Sequence, residues 1–235
     1  ILIIILNLNN HLRINIITVF ISILASLYLV EILIFLNLNY KFLSDFKEDF
    51  DKRTNFEVYQ DLKQQDPNIY PAIFPVNFIN EETFDKNTLI PLGNISNKNI
   101  LWCNENGYYV TFSSDQHGFR NNNSIWKSNF INFTFLGDSY VEGACVKSED
   151  TIYENLSKIS NQNVLNLARG GNGPLLNLAT LYEFSKLSKG SKLFWFYYEG
   201  NDIDDMKKEL KSSQLKKYLR NINYTQNLKF RQEEI

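Results

Sequence analysis

Residues 131–141 read INFTFLGDSYV, and this stretch decides the fold because a serine comes three residues after a short apolar run. The run from Ile131 to Leu136 is rich in β-favouring residues and has the length of a strand. Gly137 permits a sharp turn after it, and ligands of open α/β sheets bind beyond the carboxyl ends of the strands. We therefore expect Ser139 at an exposed sheet edge, although Gly-Asp-Ser is also a common turn without chemistry.

The same order of strand, turn and helix recurs downstream. Val164 to Leu167 is a short apolar strand candidate, and a glycine-rich loop, Ala168 to Pro174, follows it at once. The glycines leave the backbone N–H groups of this loop free to point at a ligand. The alternative is a flexible loop with Pro174 as the first residue of a helix, which needs no chemistry.

A third strand candidate is the aromatic run from Lys192 to Tyr198, whose continuous apolar character predicts a strand buried on both faces. It ends in EGND, residues 199–202, which brings a carboxamide and carboxylates to the same edge. Asn201 and Asp202 are equally good N-cap residues for the helical pattern from Ile203 to Leu219.

Strands that alternate with helical segments indicate βαβ units and a parallel sheet. The ends of the three strands then share one rim, which carries Ser139, Gly171 and Asn201. Acyl transfer needs a nucleophilic hydroxyl and donors aimed at the oxygen that becomes negative. We expect Ser139 to be the nucleophile, and the N–H groups of Ser139 and Gly171 with the Asn201 amide to form an oxyanion hole.

Three ordered blocks of the sequence resemble the SGNH or GDSL hydrolase superfamily: GDSY at 137–140, GGNGP at 170–174 and EGND at 199–202. The chain is more narrowly similar to a membrane-anchored bacterial group of SGNH-type proteins, through CNENG at 103–107, GFRN at 118–121 and YYEGND at 197–202. The likeness runs from about Tyr70 to the end of the chain.

The resemblance implies a three-layer α/β/α sandwich with a parallel, flavodoxin-like sheet. It implies Ser139 as nucleophile and Gly171 and Asn201 as oxyanion donors, with Asp138, Gly137 and Gly200 in support. The expected substrate is an ester such as an O-acylated cell-envelope glycan, hydrolysed or used for acyl transfer without a cofactor or metal. The main alternative is a non-catalytic glycan-binding or assembly protein of the same fold. A lipid or phosphate binder is weaker, because the glycine loop lacks the spacing of the known phosphate motifs.

The general base is where the sequence departs from the family. SGNH enzymes take it from an Asp-x-x-His block after the Asn block, whereas this chain has only His11 and His117, both before Ser139. His117 has the wrong spacing for that block, and we expect a surface or turn residue there. We expect the chain to be truncated, with the catalytic His and Asp beyond Ile235. Without a base the serine is a weak nucleophile at neutral pH.

The N-terminal region is predicted to be a membrane segment, residues 1–42. From Ile14 to Leu36 it is almost wholly apolar apart from Asn15, a few hydroxyls and Glu31. A transmembrane helix needs about 20 residues, so this stretch is long enough to cross a bilayer. A buried soluble helix is the alternative. A cleaved signal peptide fits less well, because no small-residue cleavage site follows.

The charges flanking this segment do not fix its orientation. Only Arg13 precedes it, and four basic residues (Lys41, Lys47, Lys52 and Arg53) follow, so a literal positive-inside count leaves the globular part in the cytoplasm. The family resemblance favours a single-pass anchor with an extracytoplasmic, periplasmic domain. The apolar run Ile1 to Leu8 could be the remnant of an earlier segment, which would reverse the parity.

Residues 43–128 are expected to form a juxtamembrane and accessory region ahead of the hydrolase-like part, residues 129–235. Leu43 to Gln65 suggests a helix or stalk, and residues 66–99 contain four of the five prolines and should be loop-rich. Ile100 to Cys103 and Gly107 to Phe112, joined by residues 104–106, form a β-hairpin candidate.

The chain has two cysteines, and its overall composition bounds its partners. If the domain is extracytoplasmic, Cys103 and Cys145 could form a disulfide, and two unpaired buried thiols are the alternative. Their spacing is no metal signature. With 235 residues, 44% hydrophobic content and a formal net charge of -2, the chain can bury one good core and has no basic excess for nucleic acid.

Overall fold

The computed structural model describes residues 9–35, 50–79 and 89–235, which fall into two compact units, Ile1–Phe50 and Asp51–Ile235. The helices are α1 (Asn10–Phe35), α2 (Asn55–Gln65), α3 (Ser124–Lys127), α4 (Ser139–Glu142), α5 (Ile152–Ser160), α6 (Pro174–Phe184), α7 (Asp202–Glu209) and α8 (Leu215–Arg220). The strands are β1 (Ile69–Pro71), β2 (Asn99–Leu101), β3 (Thr111–Ser113), β4 (Phe133–Leu136), β5 (Val164–Asn166) and β6 (Lys192–Trp195).

The first unit contains α1, a helix of 26 residues that is apolar on every side. Two of its hydroxyl groups form hydrogen bonds within the helix: Thr18 Oγ1 donates to the Ile14 carbonyl (2.9 Å), and Ser26 Oγ donates to the Ser22 carbonyl (2.8 Å). Residues Asn10–Ile34 are long and apolar enough to cross a membrane, a property that a signal sequence shares. The predicted helix is confirmed four residues earlier than expected, and residues 1–8 and 36–49 lie outside the described part.

The predicted parallel sheet is confirmed, with three strands in the order β5-β4-β6 among the described residues. Phe133 of β4 pairs with Val164 of β5 and with Lys192 of β6, so β4 is the central strand. Alternate residues along β4 point to opposite faces. Leu136 accordingly joins an apolar cluster with α6, and Phe135 joins a second cluster with α5.

The expectation that the aromatic run is buried on both faces is wrong. All four residues of β6 are exposed, with Leu193 at 40% and Trp195 at 52%. The reason is position: β6 is an outer strand of the described sheet, paired on one side by β4 alone. Its aromatic side chains still gain edge-on contacts with the central strand, since the rings of Phe135 and Phe194 lie 5.5 Å apart.

The accessory region forms a second sheet in the order β1-β2-β3. The predicted hairpin is present, because β2 and β3 pair antiparallel with Ile100 opposite Phe112. Its strands are shorter than expected, and pairing continues into the loop through the N–H of Trp102 and the carbonyl of Val110 (2.9 Å). The unpredicted addition is β1, which pairs parallel to β2 from within the proline-rich segment.

Helix α2 begins with a capping box and lies within the predicted juxtamembrane helix. Thr54 Oγ1 accepts the N–H of Glu57 (3.3 Å), and the Glu57 carboxylate accepts the N–H of Thr54 (2.7 Å). Residues 43–49 of the predicted helix lie outside the described residues. The helix therefore begins at Asn55, directly after its N-cap residue Thr54.

The helical pattern predicted from Ile203 to Leu219 is two helices, α7 and α8, rather than one. The break coincides with Ser212, whose hydroxyl accepts the N–H of Leu215 (3.2 Å) at the start of α8. Serine competes with the helical backbone for hydrogen bonds and is favoured at such starts. The two adjacent serines at 212 and 213 were the available signal in the sequence.

A buried carboxylate holds the segment after α8 against α6. Glu183 accepts hydrogen bonds from the Tyr218 hydroxyl (2.5 Å), from Thr225 Oγ1 (2.8 Å) and from the backbone N–H groups of Gln226 and Leu228. Four donors around one carboxylate offset the cost of removing it from water. The C-terminal segment of the described chain is thus fixed to the sheet.

The difference between the exposed outer strand and the buried sheet can be tested with a matched pair of substitutions. Leu165→Ala, at a fully buried position, should lower the free energy of unfolding by about 2–5 kcal/mol. Leu193→Ala on β6 should lower it by less than about 1 kcal/mol. Urea denaturation of both variants in mild detergent checks this, and equal losses would show that β6 is buried in solution.

Candidate active site

Ser139 lies at the first position of α4, directly after the turn that follows β4. The turn is tight at Gly137, where a Cβ atom would lie 2.6 Å from Val141 Cγ2. Asp138 caps α4, because its Oδ1 accepts the N–H of Tyr140 (3.0 Å). Ser139 is half-buried, and its hydroxyl and N–H make no hydrogen bond to any described residue.

The glycine loop is fastened to this turn by the backbone. The N–H of Arg169 donates to the Gly137 carbonyl (3.2 Å), which extends the pairing of β4 and β5 to the start of the loop. Gly171 has φ +74°, a left-handed conformation that favours glycine. Its N–H has no acceptor within the described part of the chain, and Pro174 begins α6 as predicted.

The third strand end approaches the same turn. The N–H of Phe196 donates to the Leu136 carbonyl (2.9 Å), and the rings of Tyr140 and Tyr198 lie 5.4 Å apart. Gly200 leaves room for that second ring, since a Cβ atom there would lie 2.6 Å from it. The structure thus brings the three predicted strand ends to one rim, as the parallel pairing requires.

Asn201 occupies the N-cap position of α7 without capping it through its side chain. Asp202 makes the local contact instead, accepting the N–H of Tyr198 with Oδ2 (2.8 Å). The Asn201 Oδ1 atom is buried with no partner, and its amide donates to no described group. The helix-cap explanation of Asn201 therefore accounts for its position but not for its amide.

Carboxylates gather beside this rim, as expected for Asp202 in the EGND segment. Burial raises the pKa values of Asp138 and Asp202, and repulsion from the nearby Asp205 raises them further. The hydrogen bond that each carboxylate accepts from a backbone N–H opposes this effect. Both groups thus hold protons to higher pH than ordinary aspartates.

Glu209 is a second residue that the sequence did not reveal. Its carboxylate reaches back from the end of α7 and accepts the N–H groups of Gly173 (2.7 Å) and Leu175 (2.8 Å) at the start of α6. It is fully buried, and that burial raises its pKa to about 7 despite these hydrogen bonds. Glu209 therefore supplies the cap that α6 lacks in its own sequence.

A buried ion pair fixes the glycine loop from the other side. Arg169 and Glu142 are at most 1% exposed and form a salt bridge, while Glu142 Oε2 accepts the N–H of Gly170 (2.5 Å). Arg169 also donates to the Ile73 carbonyl and to Asn94 Oδ1, both in the accessory region. One pair thus connects α4, the glycine loop and the accessory region.

The accessory hairpin also contacts the segment that follows Ser139 and α4. Cys103 and Cys145 form a disulfide with their Cα atoms 5.1 Å apart, and Asn106 Nδ2 donates to the Cys145 carbonyl (2.9 Å). A cavity of about 290 Å³ opens beside Ser139. Its walls come from the start of α4, the turn after α4, residues Asp150–Ile152 and Glu105 of the hairpin loop.

His117, the histidine in the same unit as Ser139, forms no hydrogen bond or ring contact with Ser139. His117 was expected to be a surface or turn residue, and it does lie in a turn. A surface position is wrong, because His117 is only 6% exposed and packs edge-on against Trp126 (4.5 Å). Burial, with the positive charges of Lys229 and Lys186, lowers its pKa to about 4. His117 is therefore a neutral core residue, and His11 lies in α1.

Comparison of the chain with protein-family models, curated proteins and solved structures found no match. Among residues 9–35, 50–79 and 89–235, no group of three or more His, Cys, Asp and Glu side chains is arranged to hold a metal ion. The roles of Ser139, Gly171 and Asn201 therefore stay predictions, supported by the geometry of the rim.

The raised pKa of Glu209 predicts a dependence of stability on pH. Because the folded-state pKa of about 7 exceeds the ordinary value of 4.5, Glu209 favours folding most below pH 4.5 and loses this contribution as the pH rises through 7. The free energy of unfolding of the wild type should therefore fall between pH 5 and pH 8. In Glu209→Gln this fall should be smaller by about 3 kcal/mol. Urea denaturation at both pH values checks this, and an unchanged difference contradicts it.

The buried ion pair predicts a non-additive loss of stability. Glu142→Ala should cost about 3–5 kcal/mol, because it leaves the Arg169 guanidinium buried without its partner. Adding Arg169→Met should recover part of that loss by removing the unpaired charge. Asp204→Ala, which breaks the exposed pair with Lys207, is the control and should leave the unfolding midpoint unchanged. Additive losses at 142 and 169 would contradict the coupling.

Proposed function

We propose that this chain carries the nucleophile and oxyanion donors of a serine-dependent ester hydrolase or acyltransferase of the SGNH type. The observation that supports this most is the set of donors without acceptors at the rim. The N–H groups of Ser139 and Gly171 and the amide of Asn201 make no hydrogen bond to described residues. Unpaired donors at adjoining strand ends suit a developing oxyanion. Of the three residues, Ser139 also lines the cavity, whereas Gly171 and Asn201 do not.

In the proposed reaction Ser139 Oγ attacks the carbonyl carbon of an ester, and its proton passes to a general base. The carbonyl oxygen becomes negative and accepts hydrogen bonds from the three donors. Collapse of this intermediate breaks the ester bond and releases the alcohol, which takes the proton from the base. Water or a sugar hydroxyl then attacks the acyl-enzyme, which gives hydrolysis or transfer to a cell-envelope glycan respectively.

This proposal assigns the general base to none of the described side chains. His117 is unsuitable because it is buried against Trp126 and Phe184 and stays neutral with a low pKa. The carboxylates Asp138 and Asp202 are committed to backbone N–H groups. The chain by itself should therefore react only slowly at Ser139.

The proposal extends to the fold and the location of the protein. A three-layer α/β/α sandwich is supported by the two apolar clusters to which alternate residues of β4 belong. A single-pass membrane anchor is supported by α1, which is long and apolar enough to span a bilayer. An extracytoplasmic, periplasmic position for the globular part is supported by the disulfide, since such bonds persist in oxidising compartments.

The alternative function is a non-catalytic glycan-binding or assembly protein that keeps the fold without the chemistry. It is favoured by one observation: His117, the histidine in the same unit as Ser139, is packed against Trp126 and Phe184 and forms no hydrogen bond with Ser139. The unpaired donors would then bind a carbonyl or carboxylate of a ligand without reaction. The two functions differ in whether Ser139 can form a covalent bond.

Covalent labelling with a fluorophosphonate decides between the two functions. In buffer that contains imidazole as an added base, we expect labelling of Ser139, located by peptide mass spectrometry. Ser139→Ala should abolish the label, and Asn201→Ala should slow it by about 100-fold or more through loss of one oxyanion donor. Ser213→Ala, at an exposed serine away from the rim, is the control and should label like wild type. Equal labelling of wild type and Ser139→Ala would refute the enzyme.

A further inference from the structure

The cavity beside Ser139 has one wall that comes from the accessory region. The hairpin loop 103–107 is tied to the turn after α4 by the Cys103–Cys145 disulfide and by the hydrogen bond from Asn106 to the Cys145 carbonyl. The loop is also ordered internally, since the N–H of Gly107 donates to Asn104 Oδ1 (2.9 Å). A loop fastened at these points holds Glu105 at the cavity as a fixed wall.

The charges that line this cavity are all negative. Glu105 lies on the hairpin wall and Asp150 on the wall that precedes α5, and both are exposed. Neither carboxylate forms a hydrogen bond or an ion pair with its side chain in the described part of the chain. Two cations contact residues near the cavity without lining it. Arg120 is buried and donates to the carbonyls of Gly143 and Val146, and Lys147 lies over the ring of Tyr108.

The other lining groups suit a ring that carries both hydroxyl and apolar faces. Tyr140, which is 67% exposed, lines the cavity, and so do the apolar residues Val146 and Ile152. Carboxylates without partners accept hydrogen bonds from hydroxyl groups, whereas they repel another carboxylate or a phosphate. A volume of about 290 Å³ holds a group of the size of one sugar ring.

We infer that the hairpin loop is part of the substrate site and that Glu105, together with Asp150, selects esters of uncharged, hydroxyl-rich groups and rejects acidic ones. This inference rests on the proposed function and goes further by naming the class of substrate and the residue that discriminates. Glu105 acts on specificity through charge and hydrogen bonding, and it takes no part in the bond-making step. Rejection of like charge is a common way to build such specificity.

A matched pair of probes tests this inference on the full chain. One fluorophosphonate carries a glucosyl group and the other a glucuronyl group of the same size, so the two differ by one carboxylate. We expect wild-type Ser139 to be labelled about tenfold faster by the glucosyl probe, a ratio that corresponds to modest charge repulsion. Glu105→Gln should reduce the ratio to about threefold, and Glu105→Lys should bring it to about one or below.

The control is Glu149→Gln, which makes the same change of charge at an exposed glutamate that does not line the cavity. Its ratio should stay at the wild-type value. An equal rate for the two probes in wild type, or a ratio that Glu105→Gln leaves unchanged, would overturn the inference alone. If neither probe labels Ser139 more than Ser139→Ala, the proposed function fails and this inference falls with it.

A third probe that carries a quaternary ammonium group distinguishes an uncharged ligand from a cation. Carboxylates and an aromatic ring also attract cations, so this probe is the most demanding competitor. Labelling by the glucosyl probe at a similar or higher rate supports the assignment to an uncharged sugar. Labelling about tenfold faster by the ammonium probe would assign the cavity to a cationic alcohol and overturn it.

Discussion

The buried ion pair between Glu142 and Arg169 is the interaction on which the rest of the rim depends. Two charges removed from water are costly unless further hydrogen bonds satisfy them. Here Glu142 also accepts the N–H of Gly170, and Arg169 also donates to Ile73 and Asn94. The pair therefore joins the helix that follows the serine, the glycine loop and the accessory region at one point. Removal of either charge loosens all three.

The accessory region is, for this reason, a structural part of the site. Its residues cover the glycine loop directly, since a Cβ atom on Gly170 would meet Phe74 at 3.0 Å and one on Gly171 would meet Val76 at 3.2 Å. The same region contributes the hairpin loop to the cavity. The glycines are thus required by two constraints at once, the left-handed backbone at Gly171 and the close approach of neighbouring side chains.

Many of the helices and strands were predictable because they depend on local sequence patterns. The strand before Gly137, the helix start at Pro174 and the hairpin around residues 104–106 each depend on neighbours in the sequence. The common rim then follows from parallel pairing alone. The break between α7 and α8 also had a local signal, the two serines at 212 and 213. The apolar periodicity across them led instead to the prediction of one continuous helix.

What escaped prediction depends on contacts between distant residues. The apolar character of β6 indicates a buried strand, but burial is decided by neighbouring elements, and among the strands that the structure describes β6 pairs with β4 alone. The environment of His117 is set by Trp126 and Phe184, and Glu209 caps a helix 34 residues upstream. The position of Glu105 near Ser139 depends on the Cys103–Cys145 disulfide. The spacing of the two cysteines in the sequence did not show whether they pair.

That disulfide has a consequence for how the protein matures. It closes a span of 42 residues that contains both the hairpin loop and Ser139, and a bridge of this length restricts the unfolded chain substantially. The complete cavity therefore requires oxidation of the two cysteines as well as folding of the chain. A newly made chain with reduced thiols has every residue of the cavity, but its hairpin loop is not covalently joined to the turn after α4. The redox state of the two cysteines in a preparation therefore determines whether the cavity beside Ser139 has its complete wall.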